Sequence, residues 1–425
     1  MSADDRAARD RAAAFALMRK IGAGKIEVLP RFRVHSLDDV AALYTPGVGY
    51  LVQEILARPE ALGELTGRDN AVAVVSDGTA VLGLGRAGPK AALPVMEGKA
   101  SMFKLLVGID AYPLCVDTRD SAQLVDLMAA LQPTFGGFNL EDVAAPACFE
   151  VMRLAEARLE VPIIHDDQYG TATVIAAGLF NAWELLGRKA ADQRVVVCGD
   201  GAAGTATVTL LQAMGVGEIT VVGLAGIISR SREHGDPHRQ WIAQNTNRAN
   251  LDGALDVAMR GANAFVGLSV GGIVSIEMVR SMAAQPVVFS MANPVPEIMP
   301  DASLAAGAAI AASGRFDFPN QCNNVLAFPG LLRGALDTKA MRIPPAVCLA
   351  AARAIADDVP RSELAADCIL PSPLSDTLYP AVAEATAQAL VSQGLARRVV
   401  APGAVAQRTR ELRLAVSLRQ ESLPR

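Results

Sequence analysis

The chain has 425 residues, of which 51% are hydrophobic and 20% are charged, and 39 basic against 44 acidic residues give a net charge of −5. Intrinsically disordered chains are more polar and more highly charged than this, so we expect a globular protein. The chain is also longer than a domain with one ordinary hydrophobic core, so we expect more than one domain. The weak acidity supplies no general attraction to nucleic acid or anionic lipid, so we expect small-molecule partners. Abundant Ala and Gly, with only 4% aromatic residues, favour small-residue helices packed on a sheet.

The N-terminus and the cysteines indicate the cellular compartment of the protein. The opening segment MSADDRAARDRAAAFALMRK places acids where a signal peptide needs basic residues and an uninterrupted apolar run. No later apolar stretch reaches the length of a membrane span without a Gly, a Pro or a charge. The six cysteines lack CxxC spacing and lie mostly in apolar runs, so we expect reduced thiols. These features predict a cytoplasmic protein with no membrane partner.

The first half of the chain alternates predicted helices and strands. Residues 3–20 mix Ala and charges at helical spacing, and an extended arm follows Gly22, Gly24 and Pro30. The next elements are a strand at 70–76, a helix at 95–106, a strand at 112–116, and helices at 121–131 and 146–160. Strands that alternate with helices of this length indicate βαβ units and a parallel sheet.

A long helix at 170–186 leads into a second series of βα units. Its members are a strand at 194–198, a helix at 207–214, and strands at 219–222, 263–266 and 286–290. Helices return at 345–357 and 380–394, before a basic tail from Arg397 that we interpret as a solvated face or a subunit contact.

The predicted fold class is therefore α/β, with a parallel-sheet domain and a Rossmann-type domain. The predicted parts are an N-terminal helix and arm (1–30), a first α/β domain (31–188), a second α/β domain (189–330), and C-terminal helices that pack back on the first domain (331–425).

A glycine loop after the strand at 194–198 predicts dinucleotide binding. GxGxxG spacing between an apolar strand and a helix gives the candidate cofactor-binding residues Gly199, Gly201, Ala202, Ala203 and Gly204. The first Gly permits a tight turn, the second lets the backbone approach a pyrophosphate, and the third lets helix and strand pack closely. The phosphates would cap the helix N-terminus.

Two features of this region depart from the fingerprint. An acid is expected about 20 residues on, at the end of the next strand, where it would hold ribose hydroxyls; the strand ends instead in Val222-Gly223-Leu224. Without this acid the site could accept NADP as well as NAD. Arg230 and Arg232 would then either bind the 2′-phosphate of NADP or be simply solvated. Asp200 adds a negative charge inside the loop, which either points to solvent or weakens cofactor binding.

Two pairs of adjacent carboxylates follow apolar strands. Glu141-Asp142 come after FGGFNL, and Asp166-Asp167 come after VPIIH. Each pair alone is compatible with a capping box at a helix N-terminus. Two pairs at strand ends suggest a hard-cation site with oxygen ligands, suited to Mg²⁺ or Mn²⁺. His165 is either a fourth ligand or a satisfied core histidine.

Further polar residues stand in apolar or turn-rich segments. Lys99 lies in ALPVMEGKASMF, where burial would lower the pKa of its ammonium and make it a base, unless it snorkels to the surface. Tyr44 precedes a Thr-Pro-Gly turn and would either project into a cleft or pack. Asn293 follows a predicted strand and Asn324 lies in a run of uncharged hydrogen-bonding residues, as expected of substrate-orienting amides.

The motifs have the order and spacing of malic enzymes of the short bacterial type, which the chain resembles over about residues 25–390. The shared motifs are Tyr44-Thr-Pro-Gly-Val, Gly98-Lys99-Ala100, Glu141-Asp142, His165-Asp166-Asp167-Gln168, the glycine loop, Ala292-Asn293-Pro294 and Asn323-Asn324-Val325. The resemblance implies oxidative decarboxylation of L-malate, or a related 2-hydroxy diacid, to pyruvate and CO₂ with NAD or NADP and Mg²⁺ or Mn²⁺. It further implies that residues 31–188 form a substrate and metal domain and residues 189–330 an NAD(P)-binding domain. It also implies a homodimer, with the option that active-site residues cross the subunit contact.

The resemblance also implies a role for each matched residue. The implied metal ligands are Glu141, Asp142 and Asp167. The implied catalytic residues are Lys99 as general base, Tyr44 as general acid and Asp166 as a carboxylate near the lysine. Asn293 and Asn324 match the amides that hold the substrate carboxylate and the nicotinamide.

Departures from the family pattern leave the substrate open. Tyr169 replaces a usual His, Arg86-Ala87 alter the Gly-Leu-Gly segment, and Phe316 replaces a small hydroxyl residue. A malolactic-type lyase without net redox is an alternative, which the altered ribose-binding strand favours. A catalytically degenerate scaffold or sensor is another, which the retention of Tyr44 and Lys99 opposes.

Overall fold

A computed structural model describes residues 3–22, 24–81 and 84–421 of the chain; Gly83 of the Gly-Leu-Gly segment lies outside them. The first half contains α1 (Ala3–Ile21), α2 (Leu37–Leu43), α3 (Gly47–Ala57), α4 (Leu62–Leu65), β1 (Ala71–Ser76), α5 (Pro89–Val107), β2 (Asp110–Cys115), α6 (Ser121–Leu131), β3 (Gly137–Leu140), α7 (Ala147–Arg158), β4 (Ile163–His165) and α8 (Thr171–Leu185). The second half contains β5 (Arg194–Cys198), α9 (Ala202–Ala213), β6 (Glu218–Gly223), β7 (Gly226–Ile227), α10 (Pro237–Asn245), α11 (Leu255–Met259), β8 (Ala264–Gly267), α12 (Ile276–Arg280), β9 (Val287–Ser290), α13 (Pro300–Ala305), β10 (Ile310–Ser313), α14 (Phe328–Asp337), α15 (Pro345–Asp357), α16 (Leu378–Ser392) and α17 (Ala404–Gln420).

The α/β class predicted from the sequence is confirmed, and each predicted helix and strand has a counterpart. Two helices begin earlier than their patterns indicated. Pro89 opens α5, at the position where a missing N–H costs nothing, and α9 begins inside the glycine loop. The basic tail is largely the helix α17, which packs against α16 and α5 and whose buried residues are Val405, Ala406, Thr409 and Val416.

The first sheet has the order β2-β1-β3-β4 and is parallel throughout. All six residues of β1 are buried, as expected of a parallel strand covered on both faces. Because the strands are parallel, their carboxyl ends meet at one edge. Leu140 at the end of β3 pairs with His165 at the end of β4, so the acids that follow each strand fall side by side.

The second sheet has the order β10-β9-β8-β5-β6-β7, parallel except for the short edge strand β7. The strand β5 lies between β8 and β6 and carries the glycine loop at its carboxyl end. This is the topological switch point at which open α/β sheets bind ligands.

The C-terminal helices return to the first sheet. The ring of Phe103 on α5 meets that of Phe328 on α14 edge to face, with centroids 4.8 Å apart. Leu412 of α17 lies against Gly108 at the end of α5, so closely that a Cβ on this glycine would come within 2.6 Å of the leucine Cβ. Helix α5 is therefore fixed by residues some 220 to 300 positions further along the chain.

The N-terminal segment has a different character. The described side chains of α2 and α3 include no buried residue. Polar contacts hold the arm that precedes them, because Lys25 Nζ donates to the carbonyl of Pro94 and Arg31 pairs with Asp110 at 2.6 Å. The large apolar side chains exposed between residues 34 and 56 are Val34, Leu37, Val40, Leu43, Tyr44, Val48, Tyr50, Leu51, Val52 and Leu56.

The cysteines and the helices bear on the compartment predicted from the sequence. All six cysteines lie within the described residues and are free thiols, as expected. None of the described helices combines the length and the apolarity needed to cross a membrane.

Candidate active site

The two acid pairs meet at the carboxyl edge of the first sheet. The backbone N–H of Asp142 donates to Oδ2 of Asp167 at 2.9 Å and ties the turn after β3 to the turn after β4. Asp142 has a φ of 54°, in the left-handed region that residues other than glycine rarely adopt. The strand register and this backbone contact therefore gather the acids on one side of the sheet.

Glu141, Asp142 and Asp167 form a group that could hold a cation. Each offers one carboxylate oxygen, and these oxygens lie within 4.8 Å of one another. Burial raises the pKa of Glu141 well above its usual value; Lys99 opposes that shift, and repulsion from Asp166, Asp167 and Asp142 adds to it. Three carboxylates crowded in this way suit Mg²⁺ or Mn²⁺, so these residues fit the predicted metal.

Lys99 on α5 is the cation that faces this cluster. Its Nζ lies 3.0 Å from Oε1 of Glu141 and 2.5 Å from Oδ2 of Asp166, and only 9% of the side chain is exposed. Burial lowers the pKa of Lys99, but attraction and hydrogen bonds from Asp166 and Glu141 outweigh it and hold the pKa above its ordinary value. The lowered pKa expected from the sequence is therefore wrong for this ion-paired state, because the carboxylates come from distant strands.

Asp166 is buried between Lys99 and Asn324. Asn324 Nδ2 donates to the same Oδ2 that faces the lysine, while Oδ1 has no hydrogen-bond partner among the described residues. A single π-helical turn joins Asp166 to Gly170, and a Cβ at this glycine would lie 1.8 Å from Oδ1. The turn thus packs a glycine against the carboxylate and aims it at Lys99.

His165 supports Asp167. Its Nδ1 lies 3.0 Å from Oε1 of Gln168 and its Nε2 lies 3.1 Å from Oδ2 of Asp167, with the ring fully buried. Both ring nitrogens have protein partners, so His165 has the arrangement of the satisfied core histidine that was one of the two expectations.

Sequence reasoning missed two residues of this site. Asn139 Nδ2 donates to Oε2 of Glu141 at 2.8 Å, and the signal available was an amide inside the apolar strand GFNL. The ring of Phe328 lies 4.0 Å from Lys99 Nζ, at a distance typical of a cation–π contact. Phe328 carried no local signal, because the contact spans more than 200 residues of the chain.

Two predicted residues are not joined to this cluster by any described hydrogen bond or ion pair. Tyr44 ends α2 with 68% of its surface exposed, and its hydroxyl has no hydrogen bond within the described chain. Asn293 is exposed after β9, and its Nδ2 donates to the carbonyl of Met291 at 3.4 Å.

Tyr169 and Phe316, two of the residues that depart from the family pattern, differ in their exposure to solvent. Tyr169 is largely buried, and burial raises the pKa of its phenol to about 12, as for a packing residue. Phe316 is 65% exposed.

The glycine loop fits a dinucleotide. Gly199 has a φ of +127°, and a Cβ there would lie 2.4 Å from the carbonyl oxygen of Leu268. A Cβ at Gly204 would lie 1.9 Å from the carbonyl oxygen of Gly199, whereas one at Gly201 would meet nothing within 4 Å. The first and third glycines are thus required by packing. The second faces open space at the start of α9, where a pyrophosphate could approach.

The glycine loop at the switch point and the carboxylates beside Lys99 together are typical of a dinucleotide-binding oxidoreductase, and the three acids could hold a cation. Two family models identify it further. The model described as malic enzyme, N-terminal domain matches residues 23–155, and that described as malic enzyme, NAD binding domain matches residues 168–391. The chain belongs to the malic enzyme family, which confirms the resemblance found from its motifs.

Individual relatives are similar over most of this chain. The chain is 45% identical over 396 residues to the bifunctional malic/malolactic enzyme of Bacillus subtilis, covering 93% of this chain and 97% of that protein. It is 46% identical over 375 residues to the NAD-dependent malic enzyme of Geobacillus stearothermophilus, covering 88% and 78%. The crystal structure of malic enzyme from Pyrococcus horikoshii matches with a TM-score of 0.90 at 40% identity, covering 95% and 94% of the two chains. Matched relatives also include NADP-dependent malic enzymes.

Proposed function

We propose that this protein oxidatively decarboxylates L-malate, or a closely related 2-hydroxy diacid, to pyruvate and CO₂ with transfer of hydride to NAD or NADP. The observation that carries the proposal is the burial of Lys99 between Glu141 and Asp166, in a chain of this family. Glu141 also belongs to the group of three carboxylates that could hold a cation. A base and an acidic cation site are the two features that oxidation of a 2-hydroxy acid followed by loss of CO₂ requires.

The side chains around Lys99 are arranged to move one proton. In its neutral form, Nζ would take the proton of the substrate 2-hydroxyl, while Asp166 and Asn324 orient the amine and Phe328 excludes water from one side. A divalent cation held by Glu141, Asp142 and Asp167 would polarise the 2-oxygen and offset the negative charge that raises the pKa of Lys99. NAD(P) supplies the hydride acceptor when bound at the glycine loop. Tyr44 is the proposed acid that returns a proton to C3 of the enol.

The activity is tested with the purified full chain, L-malate, Mg²⁺ and either cofactor. We expect CO₂ and reduced nicotinamide in equal amounts. The relative named as bifunctional supports a second candidate, malolactic decarboxylation, for which CO₂ would appear without net reduction of the cofactor. Absence of both products would contradict the two enzymatic proposals and leave a scaffold or sensor.

We further propose a homodimer in which Tyr44 serves the active site of the partner subunit. The exposed apolar residues of α2 and α3 support this, because many exposed apolar side chains on two neighbouring helices are typical of an interface. The exposed hydroxyl of Tyr44, which is not hydrogen bonded to the Lys99 cluster, supports it as well. A location in the cytoplasm remains a prediction.

Mixed dimers test the contribution of Tyr44 across the interface. Tyr44→Phe and Lys99→Ala are each expected to lower turnover by about 10²-fold or more. Coexpressed at equal levels, they should regain about a quarter of wild-type activity, because half of randomly paired dimers contain one intact site of two. Tyr50→Phe, on the same exposed segment, is the matched control and should retain full activity. Mixed dimers as inactive as their parents, or a fully active monomer in sedimentation, would contradict the proposal.

A further inference from the structure

The cofactor preference of this chain is not given by its family, since relatives are named for NAD and for NADP. In Rossmann-type domains the choice is usually made by an acid at the end of the second strand, which accepts hydrogen bonds from the adenosine ribose and repels a 2′-phosphate. Here that strand is β6, and it ends in Gly223. The residue that normally decides is therefore missing from its usual place.

A carboxylate nevertheless stands at the end of β6, carried by a different element. Cys198 of β5 pairs with Val222 of β6, so Asp200, which lies two residues beyond β5, comes next to Gly223, the last residue of β6. A Cβ built on Gly223 would lie 2.8 Å from Oδ2 and 3.1 Å from Cγ of Asp200. The carboxylate of Asp200 thus occupies the space that the side chain of an acid at position 223 would enter, and glycine leaves that space free.

Asp200 is fixed in this position. Nε of Arg239, in the first turn of α10, donates to its Oδ2 at 2.5 Å, and the aspartate side chain is 14% exposed. The expectation that Asp200 points freely to solvent is therefore wrong: the loop directs it back over β6, where α10 supplies a partner.

The two arginines considered as phosphate partners have other contacts. Arg230 donates to the carbonyl of Arg248 at 2.9 Å, and Arg232 donates to the carbonyl of Ala225 at 2.8 Å and pairs with Asp252. The cation beside the ribose position is instead Arg239, and Asp200 already neutralises it.

We propose that Asp200 replaces the missing acidic residue that would bind the adenosine ribose, and that it makes the chain selective for NAD. Its carboxylate accepts hydrogen bonds from the 2′- and 3′-hydroxyls of the adenosine ribose, and its charge repels the 2′-phosphate of NADP. Arg239 is a positioning residue that holds the carboxylate toward the ribose. This inference rests on the proposed function in that the glycine loop must bind a dinucleotide, whatever the substrate is.

The direct test is to measure the affinities of the full chain for NAD and for NADP by titration calorimetry, without malate. The wild-type chain should bind NAD more tightly than NADP. Asp200→Asn keeps the side-chain shape, removes the repulsion and frees Arg239, so the affinity for NADP relative to NAD should rise at least about tenfold, the effect of one charge-assisted hydrogen bond gained or lost. The double variant Asp200→Asn with Arg239→Gln should lose that gain, because no cation then faces the 2′-phosphate.

Asp256→Asn is the matched control. It removes the same charge from the same domain, where Asp256 pairs with Arg260 on the surface, and the preference should not change. Tighter binding of NADP by the wild type, or equal weakening of both cofactors in Asp200→Asn, would overturn the inference and leave Asp200 a structural residue of the loop. NAD-selective binding without turnover of malate or of related 2-hydroxy diacids would instead refute the proposed function and leave this inference standing.

Discussion

Replacing Lys99 with Ala is expected to lower turnover of malate by about 10²–10⁴-fold, the usual contribution of a positioned general base. The structure gives the reason. Nζ of Lys99 is the cationic group shared by Glu141 and Asp166, and Asn324 and Phe328 fix its surroundings. Steady-state rates of CO₂ release and cofactor reduction with Mg²⁺ and saturating malate measure the loss.

The same substitution also affects folding, and the experiment must separate the two effects. Removing one partner of a buried ion pair costs about 3–5 kcal/mol, because the remaining carboxylates stay buried without their cation. Lys99→Met, which keeps most of the side-chain volume, and a thermal melt of each variant show whether the tested protein is folded at the assay temperature. A folded variant with wild-type turnover would refute the role of Lys99.

Lys104→Ala is the matched control for Lys99. Lys104 lies on the same helix and pairs with Asp110, but its side chain is 36% exposed. An exposed pair of this kind contributes at most about 1 kcal/mol to the free energy of unfolding. We therefore expect turnover near the wild-type value and a small change in melting temperature.

Removing a metal ligand is the second change with a large expected effect. Asp167→Asn should lower turnover by about 10²-fold or more, and chelation should do the same to the wild type until Mg²⁺ or Mn²⁺ is restored. The reason is the cluster itself: Glu141, Asp142 and Asp167 converge within 4.8 Å, and Asp142 N–H and His165 hold the Asp167 carboxylate in place.

Metal binding can be measured apart from activity. A cation present at 100 times its dissociation constant stabilises the protein that binds it by about 2.7 kcal/mol, so Mn²⁺ should raise the melting temperature of the wild type. The shift should be much smaller for Asp167→Asn and unchanged for Asp126→Asn, which removes a surface acid paired with Arg158. The same Mn²⁺ shift in all three proteins would place the ion elsewhere.

The parts of the fold that were predictable are those with a local signal. Buried parallel strands appear as apolar runs, and the glycine loop combines a strand, a fixed spacing and a helix, so β1, β5 and α9 were all expected. The acid pairs were found because adjacent carboxylates after an apolar strand are unusual core material. The helix α17 was interpreted as a basic tail because its charged residues hide the few positions that pack.

Features that depend on distant residues could not be predicted. The pKa of Lys99 was misjudged because its apolar neighbours in sequence are not its neighbours in space. Asp200 was expected either to point to solvent or to weaken cofactor binding, since the loop sequence does not show that Arg239 and Gly223 at the end of β6 lie beside it. Side-chain chemistry is visible in the sequence, but the partners that tune it come from the fold.

The packing of Phe103 against Phe328, and of Leu412 against Gly108, has a consequence for synthesis on the ribosome. The helix that carries Lys99 emerges early, yet the residues that cover it are translated only after the entire second sheet. During that interval the second sheet, whose strands β5 to β10 are contiguous in the chain, can complete its own pairing. We expect the second sheet of the nascent chain to fold first. The domain that carries Lys99 would complete its packing only after α17 has left the ribosome.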